Sequence, residues 1–362
     1  MSLFGAPAAA TTASSGATNT TGDISKDVTL NQPPEDSISD MRFSPTSNHL
    51  AVASWDNKVR IYEVTSSGQT EGKAMLDVEA PALNCCWSPD GTKVVGAGTN
   101  NFAKLLDLGS NATTTVAEHK APIRSCHMFP SPQGGSPLLV TGSWDGLVKY
   151  WDLRQQTSIA EIKCQNRVYT MDVKNKLLVI GTADRYINIV NLDNPTNIYK
   201  TIQSPLKWQT RVVSCFADAS GFAVGSIEGR CAIQYVEEKD SASNFSFKCH
   251  RETPATSRDT CNIYSVNSIR FHPVHGTFST AGSDGTFHFW DKDAKHRLKG
   301  YPAVGGPISS TAFNHDGTIF AYAVSYDWSK GYMGNTQPNT SKIMLHPVAP
   351  DETKPRPNPK RR

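Results

Sequence analysis

The chain has 362 residues, 38% of them hydrophobic and 19% charged, with a formal net charge of +3 and a pI near 8.3. That length suits one large domain or two ordinary ones with a substantial core, and the mild positive balance is far below what would itself mark a nucleic-acid binder. The eight cysteines form no Cys-x-x-Cys pair and no Cys/His spacing that suits zinc, so buried reduced thiols, no metal and no cofactor are expected. No apolar run approaches the roughly 20 residues of a membrane helix, and no membrane contact is expected.

Residues 1–22 are Ala, Thr, Ser and Gly with almost no large side chains, a composition that cannot repay the entropy of ordering and predicts a disordered arm. The segment lacks the charged start and continuous apolar core of a secretory signal, so a cytosolic or nuclear protein is expected. Residues 23–32 (DISKDVTLNQ) alternate enough for a lone strand. A unit of short strands separated by polar turns then recurs, starting at Ile38, Ala82, Ile123, Val168, Val212, Val266 and Ile308, in steps of 44, 41, 45, 44, 54 and 42 residues. Each unit has a small-residue second strand, and the third strand ends in Trp-Asp at Trp151-Asp152 and Trp290-Asp291.

A period of about 40 to 45 residues with these features is the WD-repeat signature and predicts an all-β, seven-bladed propeller over residues 23–349. The seventh unit has three strands, and the segment after it, residues 350–362, is Pro-rich and basic, read as a disordered tail that supplies no fourth. The strand at 23–32 is therefore expected to complete the last blade. Tail residues Lys354, Arg356, Lys360, Arg361 and Arg362 suit a nuclear-localisation signal or solubilising charge.

In the third unit His119, Ser143, Asp145 and Trp151 fall in the order of an internal WD-repeat hydrogen-bond chain. The first three also match a hydrolase triad by type, which leaves a propeller hydrolase as an alternative. No nucleophile-elbow motif accompanies the serine, and no phosphate loop or His-Glu-x-x-His motif occurs, so a non-enzymatic protein without a small-molecule substrate is the preferred reading.

Turns between second and third strands share one propeller face with the links between blades. They put Arg185, Lys207, Arg211 and Arg230 together with Trp55, Trp208, Tyr326 and Trp328, a set suited to an acidic peptide. A second cluster is basic. Lys248, His250 and Arg251 follow Phe247, and Lys292, Lys295, His296, Arg297 and Lys299 follow Trp290 in the next blade. Adjacent blades would join them into a positive rim groove for single-stranded nucleic acid, with Phe247 as a stacking partner.

The motifs NFSFKCHR (244–251), GSIEGR (225–230), FHPVHGT (271–277), GSDGTFHFWDKDAKHRLK (282–299) and FNHDGTIFAYAVSYDWSKG (313–331) resemble the messenger-RNA export WD-repeat family of the nuclear pore. The sister family of the mitotic spindle checkpoint shares FKCHR, FHPVHGT and a similar last-blade loop, and both have close counterparts of YTMDV (169–173) and PLKWQTR (205–211). DKDAKHRLK and SYDWSKG favour export. The resemblance implies docking on the short acidic motif of an FG-repeat nucleoporin, contact with RNA or messenger ribonucleoprotein, and a place in the nucleus at the pore, with some cytoplasmic protein. It also implies that Trp55 and Arg230 dock the motif, and that FKCHR with WDKDAKHRLK, including Trp290, forms the nucleic-acid groove. The alternative is a checkpoint adaptor that binds a related kinase motif.

Overall fold

A computed structural model describes residues 20–132, 134–254, 256, 259–336 and 341–356. The rest of the N-terminal arm, and Lys360, Arg361 and Arg362, lie outside the described residues. Seven four-stranded antiparallel sheets follow one another around an axis. Blade 1 runs Ile38–Phe43, His49–Ser54, Lys58–Val64 and Thr70–Asp77, and the later blades repeat this order. Inner strands are almost wholly buried and outer strands alternate exposed with half-buried, as expected where only the rim meets water.

Each blade buries its faces only against its neighbours. Seven apolar clusters result among the described residues, one at each seam. Seven of the eight cysteines are buried free thiols, and Cys261 is exposed.

The ring closes as the sequence predicts. Val28–Thr29 pairs antiparallel with Lys342–Pro347, Val28 opposite Leu345, as the outer strand of blade 7. The pairing is shorter than the expected strand, because the Asp27 N–H is taken up in a turn, donating to Ile24 O at 3.1 Å. The Asp27 carboxylate accepts from Tyr322 Oη at 2.7 Å and from His346 Nδ1 at 2.6 Å, while His346 Nε2 faces Glu352 at 3.3 Å.

Both chain ends depart from the domain limits drawn from composition. Residues 20–22 lie along blade 6, where Gly22 N donates to Gly300 O and Gly300 N donates to Thr20 O, each at 2.8 Å. Pro350–Thr353 forms a helical turn whose Thr353 is buried against blade 6, with Thr277 Oγ1 donating to Thr353 O at 2.7 Å. Backbone pairing holds residues 20–22 and a side-chain hydroxyl holds Thr353, and composition carries no signal for either.

Burial lowers the His346 pKa, but hydrogen bonds and charge from Asp27 and Glu352 outweigh it and raise the group to about 9. A raised histidine pKa gives stability that is complete below its unfolded value, about 6.5, and is lost as pH rises through about 9. Denaturant midpoints measured between pH 6 and pH 9.5 should fall with a contribution of at most about 3 kcal/mol from this group. His346→Gln should lose that part of the pH dependence, and an unchanged profile would contradict the assignment.

Candidate peptide-docking face and nucleic-acid interface

On the face that carries the turns after the second strands, the turn at Trp55 is fixed by Asp56. Its carboxylate accepts from the backbone N–H of Glu35 and Lys58, both at 3.2 Å, and from Arg60 Nη1 at 2.5 Å. Across the seam, Asp327 anchors the last-blade loop. Its carbonyl accepts from Arg211 Nη2 at 2.9 Å, and its carboxylate accepts from Asn267 Nδ2 at 2.9 Å and from Ser283 Oγ. Burial raises the Asp327 pKa, but these hydrogen bonds and those from Ser329 outweigh it and the carboxyl lies below its ordinary value.

So anchored, the loop presents Trp328 at φ 60°, stacked on Trp55 with centroids 3.9 Å apart, and Tyr326 sits 5.7 Å from Trp328. These three aromatics and Arg211 line one cavity of about 310 Å³ at the mouth of the axial channel, together with Trp144, Arg124 and Asn267. Sequence reasoning did not use those last three. Arg124 had a signal, because it occupies the same slot of its unit, second in the inner strand, as Arg211.

The other predicted docking cations form two further groups. Arg185 Nη1 donates to Leu206 O at 2.9 Å, which sets it beside the link that carries exposed Lys207 and Trp208, the latter 60% exposed. Arg230 lies directly opposite Lys248 in the strand pairing of blade 5, so the two side chains share one face of that sheet. Arg251 Nη2 donates to Glu228 O at 2.7 Å and its Nε to Gly229 O at 3.3 Å, which folds it over the turn that begins Arg230's strand. Gly229 is required there, since at φ 62° a Cβ would meet Cys249 O at 2.7 Å.

This corrects the predicted rim groove. Lys248 lies on the sheet face opposite Phe247, paired with Arg230, and Arg251 folds back onto the Glu228–Gly229 turn. His250 is 2% exposed and fully engaged, with Nδ1 donating to Asp284 at 2.9 Å and Nε2 bonding Thr280 Oγ1 at 3.0 Å. Trp290 Nε1 donates to the same Thr280 hydroxyl at 2.9 Å. These four residues are the internal chain of blade 6, and His250 is unavailable to a ligand.

Blade 3 repeats the arrangement with Trp151, Thr141, His119 and Asp145, in which Thr141 takes the place expected of Ser143. Ser143 Oγ instead donates to Ala121 O at 2.9 Å, so the hydrolase triad lacks its nucleophile-to-base bond. Burial lowers the His119 pKa against the pull of Asp145.

Among the remaining residues of the predicted groove, Phe247, Trp290, Lys292 and Lys295 lie along the seam between blades 5 and 6. Phe247 and Trp290 approach to 4.5 Å across the seam, and Lys295 Nζ lies 4.9 Å over Phe245. Arg297 is exposed. Lys292 pairs with Asp293 at 2.7 Å and covers the Phe216 ring at 5.1 Å, while Lys299 lies 3.8 Å from Asp351 of the C-terminal turn. His296 is half-buried, and its Nδ1 faces Ala294 O at 3.3 Å.

Seven repeated blades, with the Trp-Thr-His-Asp chain in blades 3 and 6, define a WD-repeat propeller, and the family model "WD domain, G-beta repeat" matches residues 27–63, 110–152 and 255–291. The chain is 61% identical to the mRNA export factor GLE2 of Chaetomium thermophilum over 97% of its length and 98% of that protein. It is 54% identical to the Poly(A)+ RNA export protein of Schizosaccharomyces pombe, over 99% of both chains. Identity to Protein Rae1 of Drosophila melanogaster is 44%, over 95% of this chain and 99% of that one. The chain belongs to the messenger-RNA export factor family of WD-repeat proteins.

Proposed function

We propose that this protein is a non-enzymatic adaptor for messenger-RNA export at the nuclear pore, with some cytoplasmic protein. One face docks the short acidic motif of an FG-repeat nucleoporin, and the rim between blades 5 and 6 contacts RNA. The observation that carries the reading is the pairing of an aromatic stack, Trp55 on Trp328, with cationic side chains on the same face. Aromatic anchors supply contact area at low entropic cost, and guanidinium groups pair with carboxylates. The names of the relatives support the export role.

Arg230 is a suitable docking cation because its own carboxylate neighbour is distant, Nε lying 4.0 Å from Glu228 Oε2. In a pull-down with the acidic nucleoporin segment, Arg230→Glu should reduce capture at least tenfold with no change in melting temperature, since breaking such a charged contact costs roughly 2 to 5 kcal/mol. Full retention would refute the docking assignment. Preferential capture of a checkpoint-kinase motif by the unaltered protein would move the function to the checkpoint alternative.

On the rim, Lys295 over the Phe245 ring and Arg297 opposite Trp290 in the strand pairing are exposed cations. Two phosphate contacts predict a log-log salt slope of about −1.4 for single-stranded RNA, and Arg297→Glu should remove about half of it. RNA binding that is indifferent to salt would contradict this part.

A further inference from the structure

All seven inner strands carry a register shift at the second residue, between Ile123 and Ser125 in blade 3 and between Thr210 and Val212 in blade 5, for example. The bulged residue leaves the ladder, which is how a sheet re-aims a side chain. Six of these seven residues line the cavity at the channel mouth, among them Arg124, Arg211, Asn267 and Ser309. From this ring we infer a binding site at the mouth of the axial channel for a compact, doubly charged oxyanion of the phosphate class.

The charge balance of the cavity carries the inference. Its lining contains four arginines and two aspartates. Deeper in, Asp40 is already clamped by Arg270 at 2.9 Å and Arg42 at 3.2 Å and accepts from Asn84 at 2.6 Å. Asp327 is committed through its carboxylate to Asn267, Ser283 and Ser329 N. Among the described residues, the hydrogen bonds of Arg124 and Arg211 go to backbone carbonyls, Leu83 O at 3.2 Å and Asp327 O at 2.9 Å.

Burial lowers the Arg124 pKa to about 10, with the charge of Arg211 as the next cause, and burial also lowers Arg211. Asp327 offsets the burial of Arg211 and Asp40 that of Arg124 only in part, and a dianion between the two guanidinium groups lowers the remaining cost.

Neutral donors point the same way. Trp328 and Ser309 line the cavity, and the buried Trp328 Nε1 and Ser309 Oγ have no hydrogen-bond partner among the described residues. An indole N–H can only donate, so its missing partner is an acceptor. Two guanidinium groups, an indole N–H and a hydroxyl make a donor set for an oxyanion with several acceptor oxygens. Asn267 Oδ1, also unpartnered in the cavity, accepts from the hydroxyl of a monoprotonated phosphate. The site shares Arg211 and Trp328 with the proposed docking face, whereas Arg124 is not among the proposed docking residues.

The test is calorimetric titration of the full chain with inorganic phosphate at fixed ionic strength, with melting temperatures measured in parallel. Saturable binding of one phosphate per chain is expected, with a rise in melting temperature that chloride at equal ionic strength does not reproduce. Arg124→Gln should weaken phosphate binding at least tenfold, while Lys176→Gln, on an outer surface pair with Asp193, should leave it unchanged. In phosphate-free buffer Arg124→Gln should melt at or above the temperature of the unaltered protein, because it removes one of two like charges. Absence of saturable binding, equal affinity in Arg124→Gln, or a lower melting temperature for that variant without phosphate would each overturn the inference.

Discussion

The pairing of Val28–Thr29 with the last blade is the constraint on which the rest of the molecule depends. An open propeller would expose the edge of Lys342–Pro347 and leave the first and last blades joined only by packing. The seam between those blades is filled by Leu30, Ile38, Met41, Ile343 and their neighbours, and the buried Asp27, Tyr322 and His346 group lies on the other face of blade 7, against Phe287 and Tyr301. The aromatic stack on the docking face spans the same seam, with Trp55 from blade 1 and Trp328 from blade 7. Closure and the formation of this stack are thus one structural event, since the rings meet only if the two blades are adjacent.

A propeller of this kind distributes polar groups by depth. Mid-blade, the Trp-Thr-His-Asp chains of blades 3 and 6 satisfy buried donors and acceptors internally. At the rim, lysines settle on aromatic rings or nearby carboxylates, as Lys292 does on Phe216 and Asp293. At the channel mouth the bulged residues face inward, and there positive charge exceeds negative.

The repeat was legible because strand alternation and turn residues recur with a fixed period, and the clasp followed from counting strands in the seventh unit. Site residues were legible only where parity and turn position decide direction. Thr141 and Ser143 are two apart, so alternation puts them on the same side of the strand, and spacing cannot say which meets His119. His250 sits in a link before the blade it serves, and its run of basic neighbours suggested a surface role that its burial excludes. Lys248 could have been separated from Phe247 by parity alone, whereas the return of Arg251 to the carbonyls of Glu228 and Gly229 depends on backbone path. The pairing of residues 20–22 with Gly300 uses only main-chain groups, for which a low-complexity sequence gives no sign.

Thermal melting of the chain lacking residues 20–32 tests the role of closure most directly. The account predicts a large fall in midpoint, with quenching changes from Trp55 and Trp328 as their stack is lost. A midpoint and emission spectrum equal to those of the full chain would contradict it.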